Sequence, residues 1–234
     1  MLFGVAKTGL SFSFIKVFRI IVLTVILAFN QQLPAHERTV GGSGNGLPEE
    51  EIMHVTAFSG VISPELINSF KERIAAFLPL TKSHIITLID FSMPSTAKRL
   101  WTIDMLTGEV LFNTYVAHGR NSGDDVANKF SNVPESHQSS LGFYITEQEY
   151  VGRNGNSMRL KGLEKNINDK AWDRSIVVHG ADYATDGFIK NNGRLGRSFG
   201  CPAIPPEITD EFIATVKDGS LLFIYHPRYG KLKA

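Results

Sequence analysis

The chain has 234 residues, 43% hydrophobic, 20% charged and 10% aromatic, which is a globular composition and excludes a disordered, collagen-like or coiled-coil chain. Its length suffices for one well-buried domain and is short for two. Lysine and arginine (24) nearly balance aspartate and glutamate (23), so the net charge is +1; this gives no bulk attraction for nucleic acid, and a single long apolar run excludes a multi-span membrane protein.

That run lies at the start. Lys7, Lys16 and Arg19 precede an uncharged apolar block at 20–29, and Asn30, Gln31 and Gln32 follow it. A basic leader, a short apolar stretch and a polar exit read as a secretory signal peptide over 1–35, ending at Leu33-Pro34-Ala35, a loose match to a small-residue cleavage site. An uncleaved anchor is the alternative, although a spanning helix wants about 20 apolar residues and Lys16 and Arg19 interrupt the run. The expected location is outside the cytoplasm, in the periplasm or cell envelope, or at the inner membrane if the leader stays attached. Without residues 1–35 the chain holds 21 cations against 23 anions, and an acidic chain has no electrostatic reason to coat membranes or nucleic acid.

Cys201 is the sole cysteine. Exported proteins usually pair their cysteines or lack them, so a lone one is a buried bystander, an intermolecular bridge or a reactive thiol. It follows no apolar leader block, so a lipidated cysteine is not expected.

A flexible glycine-rich linker at 36–50, with Gly41-Gly42-Ser43-Gly44-Asn45-Gly46, leads into a domain expected over 51–234. Ser63-Pro64-Glu65 starts a helix carrying Leu66, Ile67, Phe70, Ile74 and Phe77, which Pro79 stops. Strands are expected at 85–91, then at 99–105 and 109–116 around Thr107-Gly108, then at 143–151 and 158–163 around Arg153-Asn154-Gly155-Asn156. A short apolar strand at 175–178 ends at His179. Pro205-Pro206-Glu207 opens a helix with Ile208, Phe212, Ile213 and Val216, ended by Gly219, and 221–225 is a last strand. No repeat and no alternating βαβ series is present, so the fold class is β-rich α+β, a sandwich or barrel with flanking helices.

The chemistry concentrates in two stretches, Ile176-Val177-Val178-His179-Gly180-Ala181 and Gly193-Arg194-Leu195-Gly196-Arg197-Ser198-Phe199-Gly200-Cys201-Pro202. An imidazole leaving a strand end can take a thiol proton and return it to a leaving amine. Gly200 lets the backbone approach a carbonyl, so the Gly200 and Cys201 N–H groups are candidates for holding an oxyanion. Arg194 and Arg197 would favour the thiolate and bind substrate carboxylates. Each feature alone has a bland reading: a satisfied strand-end histidine, an ordinary Gly-Cys-Pro turn, solvated arginines. Asp124-Asp125 reads as a solvated loop, since no His-x-x-x-His or Cys-x-x-Cys spacing supports a metal. Neither a metal nor a cofactor is expected.

His-Gly followed some twenty residues later by Ser-x-Gly-Cys resembles the signature of the murein L,D-transpeptidase catalytic domains, the YkuD-like fold. Ser139-Ser140-Leu141-Gly142-Phe143-Tyr144-Ile145 is similar to that family's entry strand, and the proline-led helix, Asp218-Gly219 and final apolar strand match its C-terminal pattern. The resemblance covers roughly residues 85–226. It implies Cys201 as nucleophile, His179 as base, the Gly180 carbonyl orienting the imidazole, and Ser198 and Gly200 supporting the loop. Phe199 stands where the family usually has a histidine, and the usual arginine after the cysteine is replaced by Ala203 or Ile204. Arg194 or Arg197 would take over carboxylate binding. His118 would supply the missing imidazole at the cleft, or else be a hydrogen-bonded structural residue. The implied substrate is the peptidoglycan stem tetrapeptide, with no nucleic acid and no protein partner inferred. Three readings follow: a transpeptidase making 3→3 cross-links through a thioester, an L,D-carboxypeptidase on the same path, and a non-catalytic wall-binding protein.

Overall fold

The computed structural model describes residues 61–231; the leader, the linker and the boundary expected near residue 51 lie outside the described residues. Helix α1 (Pro64–Ile74) begins where the capping residues place it: Ser63 Oγ accepts from the Leu66 N–H at 3.3 Å, proline fills the first position and Glu65 sits in the first turn. Its apolar face, Leu66, Ile67, Phe70 and Ile74, is buried.

Eight strands follow: β1 (Ile85–Asp90), β2 (Leu100–Asp104), β3 (Glu109–Thr114), β4 (Gly142–Gly152), β5 (Gly155–Gly162), β6 (Val177–Gly180), β7 (Ala203–Ile204) and β8 (Leu221–Tyr225). Between them lie α2 (Asp186–Asn192) and α3 (Thr209–Val216). The strands form one sheet in the order β3-β2-β1-β8-β4-β5-β6-β7, antiparallel except for the parallel pairs β1–β8 and β6–β7. This is the β-rich class with flanking helices expected from the sequence.

Pairing register and the two-residue pleat assign the faces. Leu88 pairs with Phe223 and Phe143 with Phe223, so these share one face. Phe70 of α1 stacks there on Phe143 at 5.8 Å, and Phe143 on Phe223 at 4.3 Å. On the opposite face, Thr87 pairs with Thr102 and Thr102 with Phe112, and Phe112 meets Phe212 of α3 edge-on at 5.4 Å. The sheet is therefore covered by α1 on one side and α3 on the other, each through aromatic side chains.

Both expected hairpins form. The second is tighter than expected: Gly152 pairs with Gly155 and Val151 with Asn156, so Arg153 and Asn154 alone make the turn and Gly155 takes φ +75°. The strand expected from residue 175 starts at Val177 because Ser175 adopts φ +53°, outside the extended region. The proline-led helix starts at Thr209, after one 3-10 turn at Pro206–Ile208. Helix α2 and strand β7 were not expected. α2 buries none of its seven residues and so has no apolar period to read; Thr185 caps it at one end and Gly193, at φ +73°, at the other. β7 is two residues long.

Candidate active site

β6 carries His179 and Gly180 at its end and pairs in parallel with β7, His179 opposite Ala203 and Gly180 opposite Ile204. Cys201 precedes Ala203 by two residues. Cys201 itself lies in the bend just before β7, at the same sheet edge. The main-chain N–H of Val177 beside Cys201 Sγ agrees with that placement. On the other flank, residues 117–120 run along the cysteine turn: Ala117 N–H donates to Ala203 O at 2.8 Å, Ser198 N–H to His118 O at 3.0 Å, and Arg120 N–H to Ser198 O at 2.8 Å.

His179 is only 4% exposed. Nδ1 lies 2.9 Å from the Gly180 carbonyl, which can only accept, so Nδ1 carries the proton and Nε2 is left basic. Nε2 has no hydrogen-bond partner among the described residues and is not sealed from solvent. Burial lowers the pKa of His179, against a smaller opposing effect from the Gly180 bond, so the ring is neutral near pH 7. It lines a cleft of about 500 Å³ with Asn154, Asn156, Tyr183, Thr209 and Asp210.

Cys201 is half-buried, and its thiol donates weakly to Ser175 O at 3.8 Å. Burial pushes the thiol pKa up; the N–H groups of Val177 and Cys201 and the Arg174 charge pull the other way and do not offset it. The cation facing the thiol is Arg174, not Arg194 or Arg197. Arg174 is fixed by Ser131 O at 2.7 Å, Ser140 Oγ at 3.2 Å, Ser136 Oγ at 3.3 Å and Gln138 O at 2.5 Å. Sequence reading missed it because it sits in an irregular connection, 27 residues before the cysteine, with no motif around it.

Ser198 ties the turn together, donating to Cys201 O at 2.6 Å and accepting from Gly200 N–H at 3.0 Å. That second bond corrects one expectation: the Gly200 N–H is engaged and is no free oxyanion donor, leaving Cys201 N–H of the expected pair. Gly200 has φ +124°, and a Cβ there would meet Gln138 O at 2.9 Å and Arg174 Nη2 at 3.2 Å. Replacing Gly200 with alanine is expected to lower the unfolding free energy by roughly 1–3 kcal/mol, from backbone strain and a clash with a fixed carbonyl. Urea denaturation of the variant against the parent chain measures this.

His118 does not open on the cleft. It is fully buried, with Nδ1 accepting from Arg99 Nη2 at 2.8 Å, and is the structural histidine of the two alternatives. Arg194 is turned into the protein, donating to Leu195 O at 2.7 Å and pairing with Asp124 at 2.9 Å. Arg197 bonds Gly123 O and Asp124, each at 3.1 Å. Phe199 is 62% exposed; the His137 ring centroid lies 4.7 Å from its own and Arg120 Cζ 4.6 Å from it. An imidazole thus stands beside position 199, although the chain carries none at that position. Among the described residues no group of three or more histidines, cysteines or carboxylates is placed to hold a metal ion.

The cysteine turn and the strand-end imidazole thus adjoin the same parallel pair at the sheet edge. The chain belongs to the L,D-transpeptidase catalytic domain family, whose model matches residues 67–225. Solved structures similar to it include an L,D-transpeptidase from Mycobacterium smegmatis, at 13% identity over 62% of this chain and 59% of that one with a TM-score of 0.40. An Enterococcus faecium L,D-transpeptidase C442S mutant is 12% identical over 80% of this chain and 86% of that one, TM-score 0.39. L,D-transpeptidase 3 from Mycobacterium tuberculosis, in complex with a faropenem-derived adduct, is 13% identical over 61% and 60%, TM-score 0.37. The chain spans about three fifths of the Mycobacterium smegmatis protein's length. No curated protein matches it.

Proposed function

We propose that the protein is a cell-envelope acyltransferase in which Cys201 is the nucleophile and His179 the general base, acting on the stem tetrapeptide of peptidoglycan. The carrying observation is the Nδ1 bond of His179 to the Gly180 carbonyl, which fixes the tautomer and leaves Nε2 basic at the strand end that pairs with the segment just after Cys201. His179 Nε2 takes the thiol proton as sulfur attacks the carbonyl of the third stem residue. The tetrahedral intermediate collapses to a thioester, and the departing D-alanine amine receives the proton from His179. The thioester keeps the acyl group activated without ATP. An amine of a second stem then resolves it to a 3→3 cross-link; water in its place gives a tripeptide.

Burial raises the thiol pKa and lowers that of the imidazole, so the resting pair is neutral thiol and neutral imidazole rather than an ion pair. Proton transfer therefore accompanies attack. Carbamidomethylation of Cys201 by iodoacetamide should accelerate with pH up to a midpoint above the ordinary thiol value of about 8.5. A midpoint below 7 in the alkylation profile would mean a preformed thiolate and overturn this resting state.

The function is tested by incubating the full chain with purified disaccharide-tetrapeptide and weighing the products. Cross-linked dimers lacking one D-alanine identify the transpeptidase, and tripeptides the carboxypeptidase. Unchanged tetrapeptide, with no acyl adduct of a carbapenem on Cys201, would mark a protein without this chemistry.

A further inference from the structure

On the Phe199 side of the cysteine turn, away from His179, lies a second cleft of about 560 Å³ lined by Arg120, Asp124, Asn128, Lys129, Gln138 and Arg197 among others. It holds three cations and one carboxylate. That carboxylate, Asp124, is already met by Arg194 at 2.9 Å and Arg197 at 3.1 Å. Arg120 and Lys129 are exposed, and neither pairs with a carboxylate among the described residues.

Arg120 is held in place without being neutralised. The Arg120 Cζ lies over the Phe199 ring, 4.6 Å from its centroid, and one guanidinium nitrogen donates to His137 Nδ1 at 3.0 Å. Its main-chain N–H bonds Ser198 O at 2.8 Å, which ties it to the turn that ends in Cys201. The loop carrying Lys129 is pinned by Asn128 and Lys129 N–H groups, both donating to Ser122 O, at 2.8 and 2.9 Å. Gln138, whose carbonyl packs on Gly200, closes the side nearest the thiol. Preorganised, unneutralised cations beside side-chain amides suit a carboxylate better than any other group a peptide carries. The Phe199 ring, sheltering one face of the guanidinium from water, strengthens its interaction with an anion.

We propose that this cleft is the carboxylate subsite for the peptide acyl donor, with Arg120 and Lys129 as its specificity-determining residues and Phe199 as the platform that sets Arg120. The assignment rests on the acyl-transfer reading for the identity of the peptide. It gives Phe199 a role in binding: the aromatic ring orients the cation that receives the substrate.

The test is calorimetric binding to the full-chain Cys201→Ala protein, which cannot turn substrate over. The probes are the disaccharide-tetrapeptide with free carboxylates and the same compound with those carboxylates amidated. The free acid is expected to bind about tenfold or more tightly than the amide, with an affinity that falls as salt rises. Arg120→Gln with Lys129→Gln should remove that advantage and leave amide binding where it was, and Arg120→Lys should restore part of it. Equal binding of the two compounds, no binding of either, or an equal loss of both on substitution would overturn the subsite. Turnover by the unsubstituted chain is read in parallel. Carboxylate-dependent binding without turnover would sink the acyl-transfer reading and keep the cleft; turnover indifferent to amidation would do the reverse.

Discussion

Replacement of Cys201 by alanine is expected to lower turnover of the stem tetrapeptide by roughly 10⁴-fold or more, with the melting temperature moving only a few degrees. The two effects separate because the sulfur carries little of the fold. It is half-buried, its one hydrogen bond to Ser175 O is 3.8 Å long, and Ser198 holds the turn through main-chain groups that alanine keeps. Losing one small polarizable atom from such a position costs about 1 kcal/mol or less. Turnover that survives the substitution would place the nucleophile elsewhere. A collapse of stability would show Cys201 to be a packing residue. His179→Gln should match the loss of turnover, since the amide can hold a place near Gly180 O but cannot accept the thiol proton.

The second large effect is on stability in acid, and it centres on His118. Desolvation first, and the Arg99 charge next, lower its pKa from 6.5 to about 3 in the folded chain. The sign follows from linkage: between those values the unfolded chain binds a proton that the folded chain refuses, so stability falls as pH falls through that window. The loss is at most about 1.4 kcal/mol per pH unit. His118→Asn keeps an acceptor for Arg99 and cannot be protonated. Its unfolding free energy, measured by urea denaturation from pH 7 to 4, should therefore fall less steeply, with the two curves separating by about 1 kcal/mol per unit below pH 6. Taking the difference cancels the contributions of other groups, such as Glu164, whose pKa burial raises. Parallel curves would mean that His118 does not titrate as its surroundings dictate. The consequence reaches the site, because Arg99 also donates to Val116 O at 3.1 and 2.9 Å, and the segment so fixed lies along the cysteine turn through Ala117, His118 and Arg120.

The parts legible beforehand were those with local causes. The Ser63-Pro64 cap, the Thr107-Gly108 turn and the Gly155 turn each act over a few residues, and α1, β2–β3 and β4–β5 stand where those signals put them. His179 and Cys201 were legible as a pair of residue types at a spacing; that they come to one sheet edge depends on the parallel β6–β7 register, which no local pattern encodes. Arg174 escaped notice for the same reason, being brought to the thiol by a connection held through Glu164 and Asn168, which bond the Phe143 N–H and the Leu141 and Phe143 carbonyls. The arginines that adjacency in sequence favoured, Arg194 and Arg197, are drawn off by Asp124, and sequence proximity cannot anticipate such competition. His118 had two readings, a cleft imidazole where the resembled family's strand approaches the cleft or a structural residue, and the partner that marks it as structural, Arg99, stands 19 residues away.

The position of β8 bears on how the molecule comes into being. It is the last strand along the chain yet lies inside the sheet, bonded to β1 on one side and β4 on the other. Within the sheet, β1 to β3 and β4 to β7 are paired only through it. The sheet that joins the two sets of strands therefore closes only after Tyr225 has been made. Cys201 precedes Leu221 by 20 residues, so the turn that bears the sulfur and the strand that joins the sheet are made close together, and maturation ends with one late stitch down the middle.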